Sequence, residues 1–155
     1  MATPVVEQVV AAFVARLEAL DDIKVERERD QEVGEFPFLV VYEGDKDVDD
    51  GQTSYTSHTQ TITVEGYVEA EEPADLGPAR NALYARVAEA LLADPSLGGL
   101  SIDVREGNRS SFRAESKAGK PVGAFTVDFL VTFWTKPTDP YALAPQPSDV
   151  SIRSP

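Results

Sequence analysis

An α+β fold is predicted by three observations. Two segments place apolar residues at helical spacing, several runs place them on alternate positions or in short continuous stretches, and the segments follow in the order α-β-β-β-α-β-β. The expected architecture is an antiparallel or mixed sheet of about five strands with two helices packed on one face, plus a β-hairpin arm. A chain of 155 residues is the size of one domain. We assign residues 1–136 to that domain and residues 137–155 to a proline-rich, extended or disordered tail.

In the first segment Val6, Val9, Val10, Phe13, Leu17 and Leu20 recur three and four positions apart, laying one apolar stripe along a helix from about residue 4 to 20. Thr3 and Pro4 form a cap and first-turn pair. "IKVERER" alternates, so it predicts a short edge strand with Ile23 and Val25 inward. "FPFLVVYEG" is continuously apolar and reads as a buried strand with Pro37 at its start, where no ladder donor is lost. The acidic run Asp45, Asp47, Asp49 and Asp50 follows, and is expected to be a solvated loop between strands.

"SYTSHTQTITVEGYVEA" carries Ile62, Val64, Val68 and Ala70 on one parity and Thr59, Thr61, Thr63, Glu65 and Glu69 on the other, as a long strand with one wet face does. After breaks at Pro73 and Pro78, a second helix runs through Leu83, Val87 and Leu91 and stops at "DPSLGG". "SIDVRE" and "GAFTVDFLVTFWT" are strands, the latter central because Phe125, Val127, Phe129, Val131 and Phe133 share a face. Between them "GNRSSFRAESKAGKPV" reads as a hairpin arm with its tip at "KAGKP". The tail from Lys136 holds five prolines and no periodicity, which excludes a helix or a central strand.

Composition narrows the function. The net charge is −13, with 27 acidic against 14 basic side chains. Tight binding to a nucleic-acid backbone, which works through clustered lysine and arginine, is therefore disfavoured. No apolar run approaches the roughly 20 residues that cross a bilayer, so no membrane partner is expected. With no cysteine there is no disulfide framework and no thiolate chemistry. The first 100 residues hold 21 acids and 7 bases and the remainder 6 and 7, a sign asymmetry that suits a self-associating chain.

Catalytic and metal readings fail one by one. Counted from Asp45, the sixth and twelfth residues are Asp50 and Thr56; counted from Asp47, the twelfth is His58. Neither register supplies the glycine and closing glutamate of a calcium loop. The one histidine, His58, has no cysteine or second histidine for zinc and no G-x-S-x-G serine to serve. Exposed aspartates on a loop have no apolar wall to separate their pKa values. No enzyme activity, metal or cofactor is expected. Arg105, Arg109, Arg113, Lys117 and Lys120, recurring along the arm of an acidic chain, are the candidate docking surface, while Trp134 and Tyr141 read equally as anchors of the last strand or as aromatic partner contacts.

The amphipathic first helix, "FPFLVVYEG", the acidic run, "TQTITVEGYVEA", the second helix and "TVDFLVTFWT" together resemble the bacteriophage tail terminator family, of the lambda minor tail protein U type. The likeness covers residues 4–136 and rests on order and spacing: Phe36 and Pro37 opening the core strand, the Asp45–Asp50 run, and Asp128 with Thr132 as a D-x-x-x-T strand. The resemblance implies a hexameric ring, in the virion tail and in the bacterial host cytoplasm during assembly. Such a ring caps the tail tube protein, stops tube polymerisation and offers a surface to a head-completion protein. It also implies that DNA passes through the ring, with Asp45, Asp47, Asp49 and Asp50 facing the lumen or the tube. The alternative from another class is a cytoplasmic ligand-binding or regulatory domain, which needs a concave apolar pocket rather than flat patches.

Overall fold

In the computed structural model, which describes residues 2–28, 35–115 and 119–146, the alternating run becomes the middle of the sheet. This strand, Thr56–Glu69, pairs with Pro121–Lys136 through fourteen consecutive antiparallel pairs, from Thr56 with Thr135 to Glu69 with Val122. Around them the chain order is α1 (Val5–Glu18), β1 (Lys24–Arg27), β2 (Phe38–Asp49), β3 (Thr56–Glu69), a 3-10 turn at Pro73–Asp75, α2 (Leu76–Leu92), β4 (Asp103–Glu115), β5 (Pro121–Lys136) and β6 (Asp139–Leu143). The spatial order is β1-β2-β3-β5-β4, with β6 also on β5. β1 runs parallel to β2 and every other pair is antiparallel, so the sheet is mixed and the α+β class is as expected.

One face of this sheet makes the core. Leu39 and Val41 of β2, Ile62, Val64 and Val68 of β3, Val104 of β4, and Phe125, Val127, Phe129, Val131 and Phe133 of β5 pack against both helices in a single cluster. Each large side chain so buried contributes about 1.5–3 kcal/mol of transfer free energy. Helix α1 sends in Val5, Val9, Val10, Phe13, Val14 and Leu17, while Val6 and Leu20 of the expected stripe are only partly buried. The stripe is rotated because the helix crosses β1 and β6 as well as α2, widening the face that needs apolar cover. Pro4 precedes the helix and no side chain caps it; Thr3 instead gives its carbonyl to Gln8 Nε2 at 2.9 Å.

Helix α2 buries Leu76, Leu83, Val87 and Leu91. It starts ahead of Pro78 rather than after it, because a proline in the first helical turn removes no internal hydrogen bond. The two helices are tied at one corner. Arg16 donates to Asp94 Oδ2 at 2.7 Å, and Asp94 also accepts from Ser96 and Gly98, fixing the "DPSLGG" turn. These donors hold the Asp94 carboxyl well below the usual range, the Arg16 bond acting most strongly.

Two boundaries differ from those the sequence suggests. "SIDVRE" and the arm are one strand, β4, interrupted by a register shift between Glu106 and Arg109, so the arm is a continuation of the sheet. The paired chain also passes Lys136: β6 lies on β5 at Thr135–Leu143 and Lys136–Asp139, occupying the side of β5 that β4 leaves beyond Thr132. Ala144 is buried there and its N–H reaches Trp134 O at 3.1 Å. An edge position tolerates Pro140, which a central one does not. The rest of the tail, 147–155, lies outside the described residues, as does Lys117.

Gly66 exists because of the core above it: a Cβ there would stand 2.4 Å from the ring of Phe125. Gly66→Ala should therefore destabilise by about 1–3 kcal/mol, as overpacking does. Urea unfolding measures this as a lowered midpoint with an unchanged slope.

Candidate functional site

Strict alternation leaves the second face of the sheet to its own side chains. Phe38, Tyr67, Ala124 and Phe112 are successive cross-strand partners on β2, β3, β5 and β4. Together with Phe36 they make an aromatic strip across four strands: Phe36 to Phe38 at 5.3 Å, Phe38 stacked on Tyr67 at 4.6 Å, and Tyr67 edge-on to Phe112 at 6.1 Å. Phe38, Val40, Val122 and Ala124 are buried yet belong to no part of the helix-covered core. Phe112, at the end of the strip, is 40% exposed. Tyr67 gives its hydroxyl proton to Glu65 at 2.9 Å, and burial with that bond raises its pKa.

The same face changes character along the strands. Past the aromatic strip it carries Glu65, Thr63 and Asp128, the last two hydrogen-bonded at 2.7 Å, then Thr59 and Thr132 at 3.3 Å, and then Asp47, Asp49 and Trp134. The expected acidic loop is thus corrected: Asp45, Asp47 and Asp49 belong to β2, and the turn comes after Asp50. What makes a strand of so charged a run is a bulge between Glu43 and Lys46. There Gln60 Nε2 donates to Gly44 O at 2.8 Å and Thr61 O at 3.0 Å, filling the gap from β3. Residues 43–50 are exposed, so the carboxylates keep their water while the backbone pairs.

The basic set does not form one patch. Arg105 faces the helix-free side, level with Leu130, whereas Arg109 and Arg113 sit beyond the β4 bulge on the opposite parity. Arg109 is committed within the chain: its guanidinium lies 4.0 Å over the Tyr84 ring and donates to Asn81 at 2.7 Å. Tyr84 donates in turn to Glu106, which raises the tyrosine's pKa and pins the bulge to α2. Lys120 bonds Glu71 at 2.8 Å, and that bond raises its pKa. Trp134 stacks on Tyr55 at 3.7 Å, and Tyr141 is 51% exposed.

A hub that sequence spacing did not reveal is Arg27. It donates to both oxygens of Glu7, at 2.7 and 2.8 Å, and to Glu43 at 2.8 Å, joining α1, β1 and β2. Glu7 is held below its ordinary pKa by this hydrogen bond and Arg27 is raised. The signal is weak in sequence because the three residues are far apart and a charged edge strand ordinarily faces water.

Beyond the sheet face lies a wide, shallow cleft of about 460 Å³ between the β2–β3 hairpin and the β5–β6 turn, lined by Val48, Asp50, His58, Thr135, Thr138 and Asp139. His58 is buried in its wall, its Nε2 2.9 Å from Thr135 Oγ1 and its ring stacked on Phe133 at 4.7 Å. Nδ1 is buried without a partner. Among the described residues no three His, Asp or Glu side chains gather as metal ligands, and no helix is long and apolar enough to cross a membrane.

No family model and no curated protein matches this chain. Among solved structures it is similar to a chain of the "Virion of native gene transfer agent (GTA) particle", at 14% identity and a TM-score of 0.35, covering 83% of this chain and 90% of that one. At that level the likeness carries no argument about what the chain does.

Burial, and to a lesser degree Lys46, lowers the His58 pKa below its ordinary 6.5. The unfolded chain then binds a proton that the folded one resists, so stability present above pH 6.5 should fall as pH drops through and below that value. In urea melts the wild type should lose stability from pH 7 toward pH 5 more steeply than His58→Gln, which has nothing to protonate there. Equal slopes for the two proteins would remove His58 as the cause.

Proposed function

We infer that this chain is a phage or prophage tail terminator: a non-catalytic protein that assembles as a ring, six-fold in the manner the resemblance implies, caps the tail tube and gives the head-completion protein its seat. The observation that carries the reading is the helix-free sheet face. A ligand-binding domain encloses its ligand in a concave apolar pocket. Here the apolar side chains left over from the core, Phe36, Phe38, Tyr67 and Phe112, form instead a strip across four strands that is buried at Phe38 and opens to solvent at Phe112, the kind of apolar margin that meets another protein.

The acidic end of the same face supports the second half of the reading. Asp47, Asp49, Asp128 and Glu65 stand on one side of the sheet, and no arginine or lysine is bonded to any of them in the described structure. A channel that DNA must slide through should repel phosphates rather than hold them, since each lysine or arginine contact to the backbone adds affinity. Carboxylates on a lumen wall do this without a ligand or metal.

Deleting the gene from its phage or prophage should give overlong or uncapped tails that fail to join heads, as seen by electron microscopy, and the intact chain supplied in trans should restore a single tail length. Normal tails that join heads in the deletion strain would overturn the assignment.

A further inference from the structure

The register of β4 turns two of its arginines toward α2. Cross-strand partners share a face of the sheet. Arg109, Ser111 and Arg113 lie opposite Val127, Phe125 and Gly123, so all three stand on the side that the helices cover. Helix α2 meets them there with Arg80 and Tyr84, one turn apart. The Tyr84 ring is edge-on to Phe125 at 5.9 Å, and a Cβ at Gly123 would stand 3.5 Å from Arg80 Nη1. The Arg80 guanidinium is thus set against the β5 residue that pairs with Arg113.

The three cations are not equally occupied. Arg109 is engaged by the Tyr84 ring and by Asn81, and the Glu106 carboxylate of the neighbouring bulge accepts from the Tyr84 hydroxyl. Within the described structure Arg80 and Arg113 form no ion pair and no hydrogen bond. Arg80 is half-buried, and its Nε is shut away from water without an acceptor. A buried donor left unpaired is costly, and so are two like charges drawn to one groove. Nothing in the described chain offsets either cost. An anion seated beside both guanidinium groups offsets the two together.

We propose that Arg80 and Arg113, with the Ser111 hydroxyl beside them, form a binding site for a phosphate-type oxyanion: compact, tetrahedral and doubly charged. Two unpaired cations match two negative charges. One guanidinium comes from the helix and the other from the strand, so the donors reach the groove from different directions, which suits tetrahedral oxygens. A planar carboxylate is already satisfied by a single coplanar guanidinium fork. Arg109, held over Tyr84, stands next along β4 and adds its positive field. A nucleic-acid backbone fits less well, since it presents a long row of singly charged diesters to a chain of net charge −13. Free phosphate and the end group of a phosphomonoester both present the required chemistry. The groove lies on the opposite side of the sheet from the strip that carries the ring assembly, so either proposal can fail alone.

Nuclear magnetic resonance of the isotope-labelled full chain tests this through its arginine Nε–H signals, with ionic strength held constant by sodium chloride. Inorganic phosphate and O-phosphoserine, titrated in separate arms, should each shift the Arg80 signal saturably, with half-saturation at roughly millimolar concentration. The arm with the lower value identifies the source. Arg113→Gln, at an exposed strand position, should keep the fold by circular dichroism and weaken binding about tenfold. Arg80→Lys keeps the charge without the fork and should weaken it as well, whereas Lys136→Gln, exposed at the far end of β5, should leave it unchanged. Sulfate should match phosphate, while acetate and a DNA duplex should not saturate the signal. A shift that rises without saturating, equal binding by Arg113→Gln and wild type, or an acetate or duplex titration that matches phosphate would overturn the site.

Discussion

The fourteen-pair ladder between β3 and β5 is the constraint from which the other features follow. Because side chains alternate strictly along both strands, fixing Ile62 beside Phe129 and Val64 beside Val127 assigns every remaining residue to a face. One face then holds five buried valines and phenylalanines of β5 in alternation and requires the cover of α1 and α2. The other is left with threonines, carboxylates and a few rings, so it stays free of helices. A slip of one residue would put Phe125, Phe129 and Phe133 into water, which is why the register is well specified.

That division makes the molecule two-sided in chemistry as well as packing. Hydrophobic burial is concentrated under the helices, where Gly66 gives up its side chain to let the Phe125 ring lie flat on β3. Charge is concentrated at the sheet's ends and edges. The Arg27–Glu7–Glu43 bonds and the Arg16–Asp94 pair pin the helices at the periphery, and being partly exposed they contribute modestly to stability, their main effect being orientation. The strongly acidic balance of the chain is thereby kept off the core and held at its solvent-facing periphery.

Much of this architecture was legible in the sequence because period-2 alternation and helical spacing are local signals. The faces of β3 and β5, the edge position of β1 and the burial of His58 with Ile62 and Val64 all follow from parity alone. The acidic run reads as a loop for an identifiable reason: charge density argues for solvent, and both a loop and an exposed hairpin satisfy it. The bulge that separates them depends on Gln60 reaching across to Gly44, a contact between strands that no local pattern announces. The arginines of β4 were legible as a basic set but not as a divided one, since the register shift at Glu106–Arg109 turns Arg109 toward Tyr84 and leaves Arg105 on the other side. The bonds of Arg27 to Glu7 and Glu43 needed the strand order itself.

A fold that depends on one ladder makes a claim about individual amides. Native-state hydrogen exchange of the full chain reads them directly. The account predicts that the paired amides of β3 and β5 between Thr59 and Val68 and between Gly123 and Thr132 exchange slowest, while those of β1 and β6 open first. A β3–β5 ladder that exchanges as fast as β1 or β6 would contradict it.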